Sequence, residues 1–407
     1  MKILAVNAGS SSLKFQMYEM PEEKVLISGV FERIGIENSF YTIKINGEKI
    51  VKEAVLTDHK QAVKILVDEL FENKIINSLD EIKGIGHRIV QGADQFNQSV
   101  IIDDQVIQTI QDLSPLAPLH NPAAVTGIKA FKEIVSHAQA VAVFDTSFHQ
   151  TMELKTYLYA LPYEWYTKYK VRKYGAHGTS HKYVANRLSE ILNKKDCKVI
   201  VCHIGNGGSI TAVKNGKCVD TSMGFTPNAG IIMGTRCGDI DVSIIPYMIK
   251  QTGINYQDID NVINKQSGLL GISGVSSDSR DIEAGIQEGN ERCILAQQMF
   301  IQKIVDYIAK YYVLLEGVDA IAFTAGIGEN SVNVRKGVVD KLKVLGIKLD
   351  EEKNNVRGKE QLITTSDSSI PVYIIPTDEE VMIARDTYNL IEMWSKDRHI
   401  FFLNKKI

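Results

Sequence analysis

The sequence predicts a mixed α/β protein built from two domains, on three observations. Its 407 residues exceed what a single hydrophobic core usually organises. Strand-like and helix-like stretches alternate along the chain. One strand–turn–strand pattern occurs twice, about two hundred residues apart.

The alternation is clearest in five places. AVAVFDTS (140–147) is a strand running into a polar end. VDAIAFTAGIGENS (318–331) reads as strand, glycine turn and helix start, and VYIIPTDEEVMIARDTYNL (372–390) as strand, proline break and helix. Residues 58–75 and 290–312 carry apolar residues at helical spacing. In such mixed domains functional groups gather at the carboxyl ends of strands.

The repeated pattern begins at Ile3–Val6, a short buried strand. A Gly-Ser turn at 9–12 follows, and Leu13, Phe15 and Met17 then alternate with more polar residues as in a second strand. KVIVCHIGNGGSITAVKNGK (198–217) repeats that grammar, with a strand at Val199–Cys202, a small-residue turn at Gly205–Ser209, an apolar return from Ile210 and an Asn-Gly turn at 215–216. Two similar domains, each opening on a glycine-rich hairpin, would set two backbone-rich turns across a cleft. No low-complexity linker separates the halves, and the aromatic segment 159–175 is the expected hand-over between them.

With 44% hydrophobic and 23% charged residues the chain can fill and cover substantial cores. A net charge of −3 and singly scattered arginines give no nucleic-acid surface. MKILAVNAGSSSLKF is not patterned as a signal peptide, and no stretch approaches the length needed to cross a bilayer. The five cysteines show no CxxC spacing, which fits reduced structural thiols in a cytoplasm.

A GxxxxGK[ST] loop is absent, so a P-loop fold is not expected, and Gly205–Gly208 does not complete a strand–GxGxxG–helix unit. The small-residue turns instead leave backbone N–H groups open to phosphoryl oxygens, although ordinary tight turns would look the same. Polar residues at strand ends sharpen the chemistry: Arg88 after Ile85–His87, Asp145 after Val141–Phe144, His203 after Val199–Cys202, and Glu379 just after Ile374–Pro376. A carboxylate there can hold Mg²⁺ directly or through water. Arg88 and Arg236 suit bidentate contact with a carboxylate or phosphoryl group. Surface ion pairs for the arginines, cap duty for Asp145 and buried hydrogen bonds for His177 and His203 are the plainer alternatives. His177 and His181 stand four apart without a third ligand or an HExxH glutamate, which argues against zinc.

Eleven blocks in order then resemble the acetate kinase family of acyl phosphate-forming kinases. They are VNAGSSSLKF (6–15), GIGHRIVQG (84–92), LAPLHNP (116–122), VFDTSFHQTM (143–152), YGAHGTSHKYV (174–184), HIGNGGSITAV (203–213), DTSMGFTP (220–227), IMGTRCGDID (232–241), SGVSSDSRD (273–281), FTAGIGENS (323–331) and IPTDEE (375–380). The resemblance implies duplicated ribonuclease H-like domains of the sugar kinase, Hsp70 and actin superfamily, with an interdomain active-site cleft. It implies an amino-terminal acyl-substrate domain over 1–150, joined by a terminal helix over 384–407, and a nucleotide-binding and dimerisation domain over 151–383.

It further implies reversible, direct in-line transfer of the ATP γ-phosphoryl group to acetate, or to propionate or another short-chain acid, in a cytoplasmic homodimer using Mg²⁺ or Mn²⁺; a nucleotide-binding regulatory protein of this fold without turnover is the more distant alternative. On matching positions, Arg88, Asp145, His177 and Arg236 resemble catalytic residues. Ser10, Ser12, Lys14, His203, Asn206, Gly207 and Gly208 resemble the phosphate-binding groups. Asp278, Ser279, Arg280, Gly326, Ile327 and Asn330 resemble the nucleotide site, and Asn7 and Glu379 the metal-binding pair. Val90, Leu119, Ala176 and Pro227 resemble the acyl pocket. The chain departs from the family where Ala176 replaces a common phenylalanine, Asn228 and Ala229 a leucine and a glutamate, Gln91 a histidine, and Ser279 a larger apolar residue. The missing phenyl ring at 176 predicts a more open acyl pocket, and Ser279 predicts looser packing on the purine.

Overall fold

A computed structural model describes residues 1–118 and 120–404. The chain divides into two compact units, Met1–Phe148 with Asp378–Ile407, and His149–Thr377. The first crossing falls before 159–175, which lies wholly inside the second unit and there forms a helix at Tyr163–Tyr169. The return falls at Asp378 rather than 384, because the final helix, Glu379–Asn404, starts immediately and packs on the first unit's sheet.

In the first unit the strands are β1 (Lys2–Ala8), β2 (Ser12–Glu19), β3 (Lys24–Glu32), β4 (Phe40–Ile45), β5 (Glu48–Glu53), β6 (Ile82–Ile89), β7 (Val100–Ile101) and β8 (Gln139–Phe144). They form one sheet in the order β5-β4-β3-β2-β1-β6-β8-β7. β1 to β5 run antiparallel in sequence, and β1, β6 and β8 are parallel neighbours. Side chains alternate across β6, as a strand requires. His87 faces Phe131 of helix Asn121–Ile134 at 5.6 Å between rings. Gly84 and Gly86 face the other way, where an added Cβ would run into Thr387, Ile383 and Ile391 of the final helix. The glycines therefore let that helix lie against the backbone of β6.

The second unit repeats the arrangement with β9 (Lys198–Ile204), β10 (Gly208–Lys214), β11 (Lys217–Thr221), β12 (Ala320–Thr324), β13 (Gln361–Leu362) and β14 (Val372–Ile374), ordered β11-β10-β9-β12-β14-β13. β9, β10 and β11 are antiparallel, and β9, β12 and β14 parallel. The even positions Ile200, Cys202 and Ile204 enter a core with Phe300 and Ile304 of helix Glu291–Leu314. The odd-numbered His203 faces helix Gly178–Ile191, where Ser180 meets it. In each sheet an antiparallel β-meander precedes two parallel strands, so the chain carries a duplicated ribonuclease H-like fold. The two glycine hairpins open equivalent first-and-second-strand pairs.

Candidate active site

In the first unit, Gly9 closes the β1–β2 turn by donating its N–H to the Ser12 carbonyl at 2.9 Å, and its own carbonyl meets His59 Nε2 at 2.7 Å. Ser10 is exposed, and Asn7 and Ser12 are half-buried around that turn. Parallel pairing of β6 with β8 sets Arg88 opposite Val143 and brings Asp145 beside it at the strand ends. Arg88 grips Asp145 through Nε at 3.1 Å and Nη2 at 2.7 Å, and its Nη1 lies 3.4 Å from Glu379. Burial alone would weaken the Arg88 cation, but Asp145 and Glu379 overcome it and hold its pKa above the ordinary value.

Glu379 opens the final helix. Its pKa is raised, first by burial, with Arg88 opposing and Asp145 and Glu380 adding repulsion. Asp378 is raised as well, again mainly by burial, while accepting from Tyr18 at 3.2 Å. Lys14 pairs with Glu380 at 2.5 Å. Four carboxyl groups (Asp145, Asp378, Glu379 and Glu380) thus gather around two cations, Arg88 and Lys14. Among the described residues no cluster of three or more His, Cys, Asp or Glu side chains would enclose a metal. The surplus negative charge and the single carboxylate at Glu379 instead fit an ion that keeps water and phosphate oxygens among its ligands, as Mg²⁺ does.

In the second unit the glycine turn is surrounded by cationic and imidazole groups. A Cβ on Gly207 would lie 2.6 Å from Arg236 Nη2 and 3.7 Å from His177 Nε2, so both groups sit over bare backbone. Arg236 donates to the Pro227 carbonyl at 2.6 Å, and no carboxylate pairs with it among the described residues. Its pKa is lowered by burial. An arginine that carries a desolvation cost with no acidic partner is suited to an anionic ligand.

His177 occupies the N-cap of helix Gly178–Ile191 at φ 57°, a left-handed conformation that turns its ring inward. Its Nδ1 lies 2.9 Å from Ser209 Oγ, and His181 Nε2 lies 2.7 Å from the same oxygen. Burial, with His149 and His203 adding to it, pushes the His181 pKa well below 6.5, so that ring is neutral. The His181 Nδ1 atom is buried without a partner, which places the proton on Nε2, since an orphaned N–H is the costlier choice. His181 then donates to Ser209, and Ser209 donates to His177 Nδ1. His203 stacks on His177 at 4.2 Å and is held through Nδ1 by Ser180 at 2.8 Å, which also meets Thr377 at 2.8 Å.

Asn206, exposed at the tip of the same turn, also lines a cleft of about 630 Å³, within the range of small-molecule sites. Asp278, Ser279, Arg280, Gly326, Ile327 and Asn330 all line it. Asp278 caps helix Ser279–Gln287 and pairs with Arg280, which holds its carboxyl down at about 2. Gly326, Ile327 and Asn330 form the helix Ala325–Asn330 rather than an open turn.

The acyl-pocket residues divide between the units. Val90 follows β6 in the first, Ala176 and Pro227 belong to the second, and Leu119 lies outside the described residues. Within its own unit Ala176 is 4% exposed and packs with the flexible side chains of Met223 and Met233. Sequence reading missed Ser180, Ser209 and Thr377, which orient the histidines, and Glu283, Ser331 and Arg357, which line the cleft.

A duplicated ribonuclease H-like fold that joins an anion-ready glycine turn to a cleft of small-molecule size fits a phosphotransferase. The sequence matches the acetokinase family model over residues 2–385, and the chain belongs to the acetokinase family. It is 56% identical over 391 residues to the acetate kinase of Bacillus subtilis (strain 168), covering 96% of this chain and 99% of that one. Among solved structures it is similar to Porphyromonas gingivalis acetate kinase, at TM-score 0.91 and 44% identity, covering 96% of this chain and 99% of the other. It is also similar to a propionate kinase from Francisella tularensis, at TM-score 0.90 and 43% identity with the same coverage.

Proposed function

We propose that the chain transfers the γ-phosphoryl group of ATP reversibly and directly to acetate, giving acetyl phosphate and ADP. The observation that carries this reading is Arg236: a half-buried guanidinium with no acidic partner among the described residues, set with His177 over a glycine turn that opens onto the nucleotide cleft. The kinship with acetate kinases supports the acceptor.

Acetate is already ionised at neutral pH, so the nucleophile needs no strong base. The obstacle is charge, because a negative oxygen must approach a negative phosphoryl group. Arg236, His177 and the N–H groups of Asn206, Gly207 and Gly208 counter that charge on the nucleotide side, with His203 bracing the His177 ring. Arg88 orients the carboxylate or its phosphorylated product, and Asp145 fixes the Arg88 fork. Ser10, Ser12 and Lys14 supply phosphate donors on the first hairpin. Asn7 and Glu379 would hold Mg²⁺ (or Mn²⁺) together with the nucleotide phosphates, and the bound ion supplies further charge neutralisation. The first unit accordingly serves the acyl substrate and the second the nucleotide.

A homodimer formed through the second unit belongs to the same proposal, supported by exposed apolar residues such as Val242, Tyr247 and Tyr256. A cytoplasmic location fits five free cysteines. Among the described residues no helix is long and apolar enough to cross a membrane. Light scattering on the purified chain measures the oligomer directly.

The activity test traps acyl phosphate as hydroxamate after incubation with acetate and MgATP. Hydroxamate matching the ADP released is expected, and its absence with every short-chain acid overturns the proposal. The near-equal similarity to a propionate kinase favours a second acceptor, so the series runs through propionate and butyrate.

A further inference from the structure

The cleft carries two acidic side chains in different states. Asp278 is occupied, with its two oxygens divided between the Arg280 backbone N–H and the Arg280 guanidinium at 2.6 to 3.2 Å. Glu283, one turn further along the same helix, accepts from the Ser331 hydroxyl at 2.5 Å. No cation pairs with Glu283 among the described residues. The Ser331 hydroxyl is itself fixed, since its oxygen accepts the Val334 N–H at 3.2 Å as the cap of helix Val332–Lys341. Its proton is thereby committed to Glu283, and the carboxylate is held against the cleft wall.

An ionised carboxylate offers about four acceptor sites and no donor, so most of the acceptor capacity of Glu283 is unspent. It is a poor neighbour for a triphosphate, because like charges at close range repel. The phosphate donors lie instead around Asn206, Gly207, His177 and Arg236. Glu283 therefore belongs to the part of the cleft that receives the base. Resting on the assignment of this cleft to a nucleotide, we propose that Glu283, clamped by Ser331, reads the hydrogen-bonding edge of the purine and makes guanosine nucleotides efficient phosphoryl donors.

Two parallel oxygens match guanine, whose N1–H and N2–H₂ point the same way. Adenine offers N6–H₂ beside the N1 lone pair, so one oxygen gains a bond and the other faces an acceptor. Ser279 leaves the neighbouring wall small, which adds no barrier to the guanine 2-amino group. A glutamine at 283 reverses the logic. Its carbonyl accepts from adenine N6 while its amide donates to N1, and it loses one of the two acceptors that guanine uses. Bidentate base pairs of this kind discriminate by roughly 5- to 150-fold.

The test measures kcat/KM with ATP, GTP and ITP, which lacks the 2-amino group, for wild type, Glu283→Gln and Ser331→Ala, with calorimetric binding of ADP, GDP and IDP alongside. Wild type should use GTP at least as well as ATP and better than ITP. Glu283→Gln should shift the GTP-to-ATP ratio toward ATP by roughly tenfold or more and narrow the gap between GTP and ITP. Ser331→Ala should move both ratios the same way but less. A uniform fall for every nucleotide, as a ribose contact or a purely structural role would give, overturns the proposal, as does a ratio unchanged by Glu283→Gln. Failure of the nucleotide-site assignment is distinct, since then neither diphosphate binds nor does any triphosphate yield acyl phosphate.

Discussion

Replacing Arg236 by alanine should separate catalysis from stability. Taking an ion such as the half-buried Arg236 partly out of water costs the fold free energy. In return Arg236 makes one hydrogen bond, to the Pro227 carbonyl, of a kind that contributes about 1.5–3 kcal/mol. With no acidic partner among the described residues, removing the guanidinium should leave Tm unchanged or raise it. The reaction should suffer, because a donor aimed at developing charge is worth about 2.7–4 kcal/mol, or about 10²- to 10³-fold in kcat. Arg88 provides the contrast. Its loss would remove the ion pairs to Asp145, which is 1% exposed, and to Glu379, at a cost of about 3–5 kcal/mol in stability. Its kcat should also fall by about 10²-fold or more. Calorimetric unfolding and steady-state hydroxamate kinetics on both variants compare the two arginines. An Arg236→Ala variant that loses as much stability as Arg88→Ala, or keeps full kcat, would refute the idea that Arg236 is held for a ligand.

The remaining predictions concern helix placement, pH and the acyl end. Gly86→Ala should cost about 1–3 kcal/mol, because the new Cβ would press on Ile383 at 2.5 Å, and it should raise the Mg²⁺ concentration for half-maximal rate by shifting Glu379; an unchanged metal dependence would detach Glu379 from the ion. Glu379 has a raised folded pKa, so its contribution to stability is full below its unfolded value of about 4.3 and is lost as pH rises through the folded value. Mg²⁺ should therefore raise Tm more at pH 7 than at pH 5 in wild type, with that difference reduced in Glu379→Gln; equal gains in both proteins would contradict it. Ala176→Phe should destabilise by about 1–3 kcal/mol through collision with Met223 and Met233, and should suppress propionate more than acetate; a stable variant with unchanged chain-length preference would remove residue 176 from the acyl pocket.

The fold was legible where local chemistry dictates it. Small-residue turns between short apolar strands identified both hairpins, and polar residues near strand ends singled out Arg88, Asp145 and His203, of which Asp145 follows β8 while Arg88 and His203 lie within the last two residues of β6 and β9. Contacts between distant segments were not legible. Ser180 joins His203 across 23 residues and Thr377 across 197, and nothing in a serine flanked by Thr179 and His181 announces either. The two methionines packed on Ala176 were not legible either, because packing depends on neighbours distant in sequence. The return at Asp378 was misplaced because Pro376 marks the break before a helix without saying which sheet that helix will cover. Glu283 reads from sequence as one exposed position of an amphipathic helix, and its interest comes from Ser331, 48 residues away.

Direct transfer is the central claim, and stereochemistry at phosphorus tests it most closely. ATP made chiral at the γ-phosphorus with oxygen isotopes should give acetyl phosphate of inverted configuration, as one in-line displacement by the acetate oxygen requires. Retention would mean two displacements through a phosphorylated side chain, and would contradict the account of Arg88, Arg236 and the glycine turn as groups that only bring donor and acceptor together.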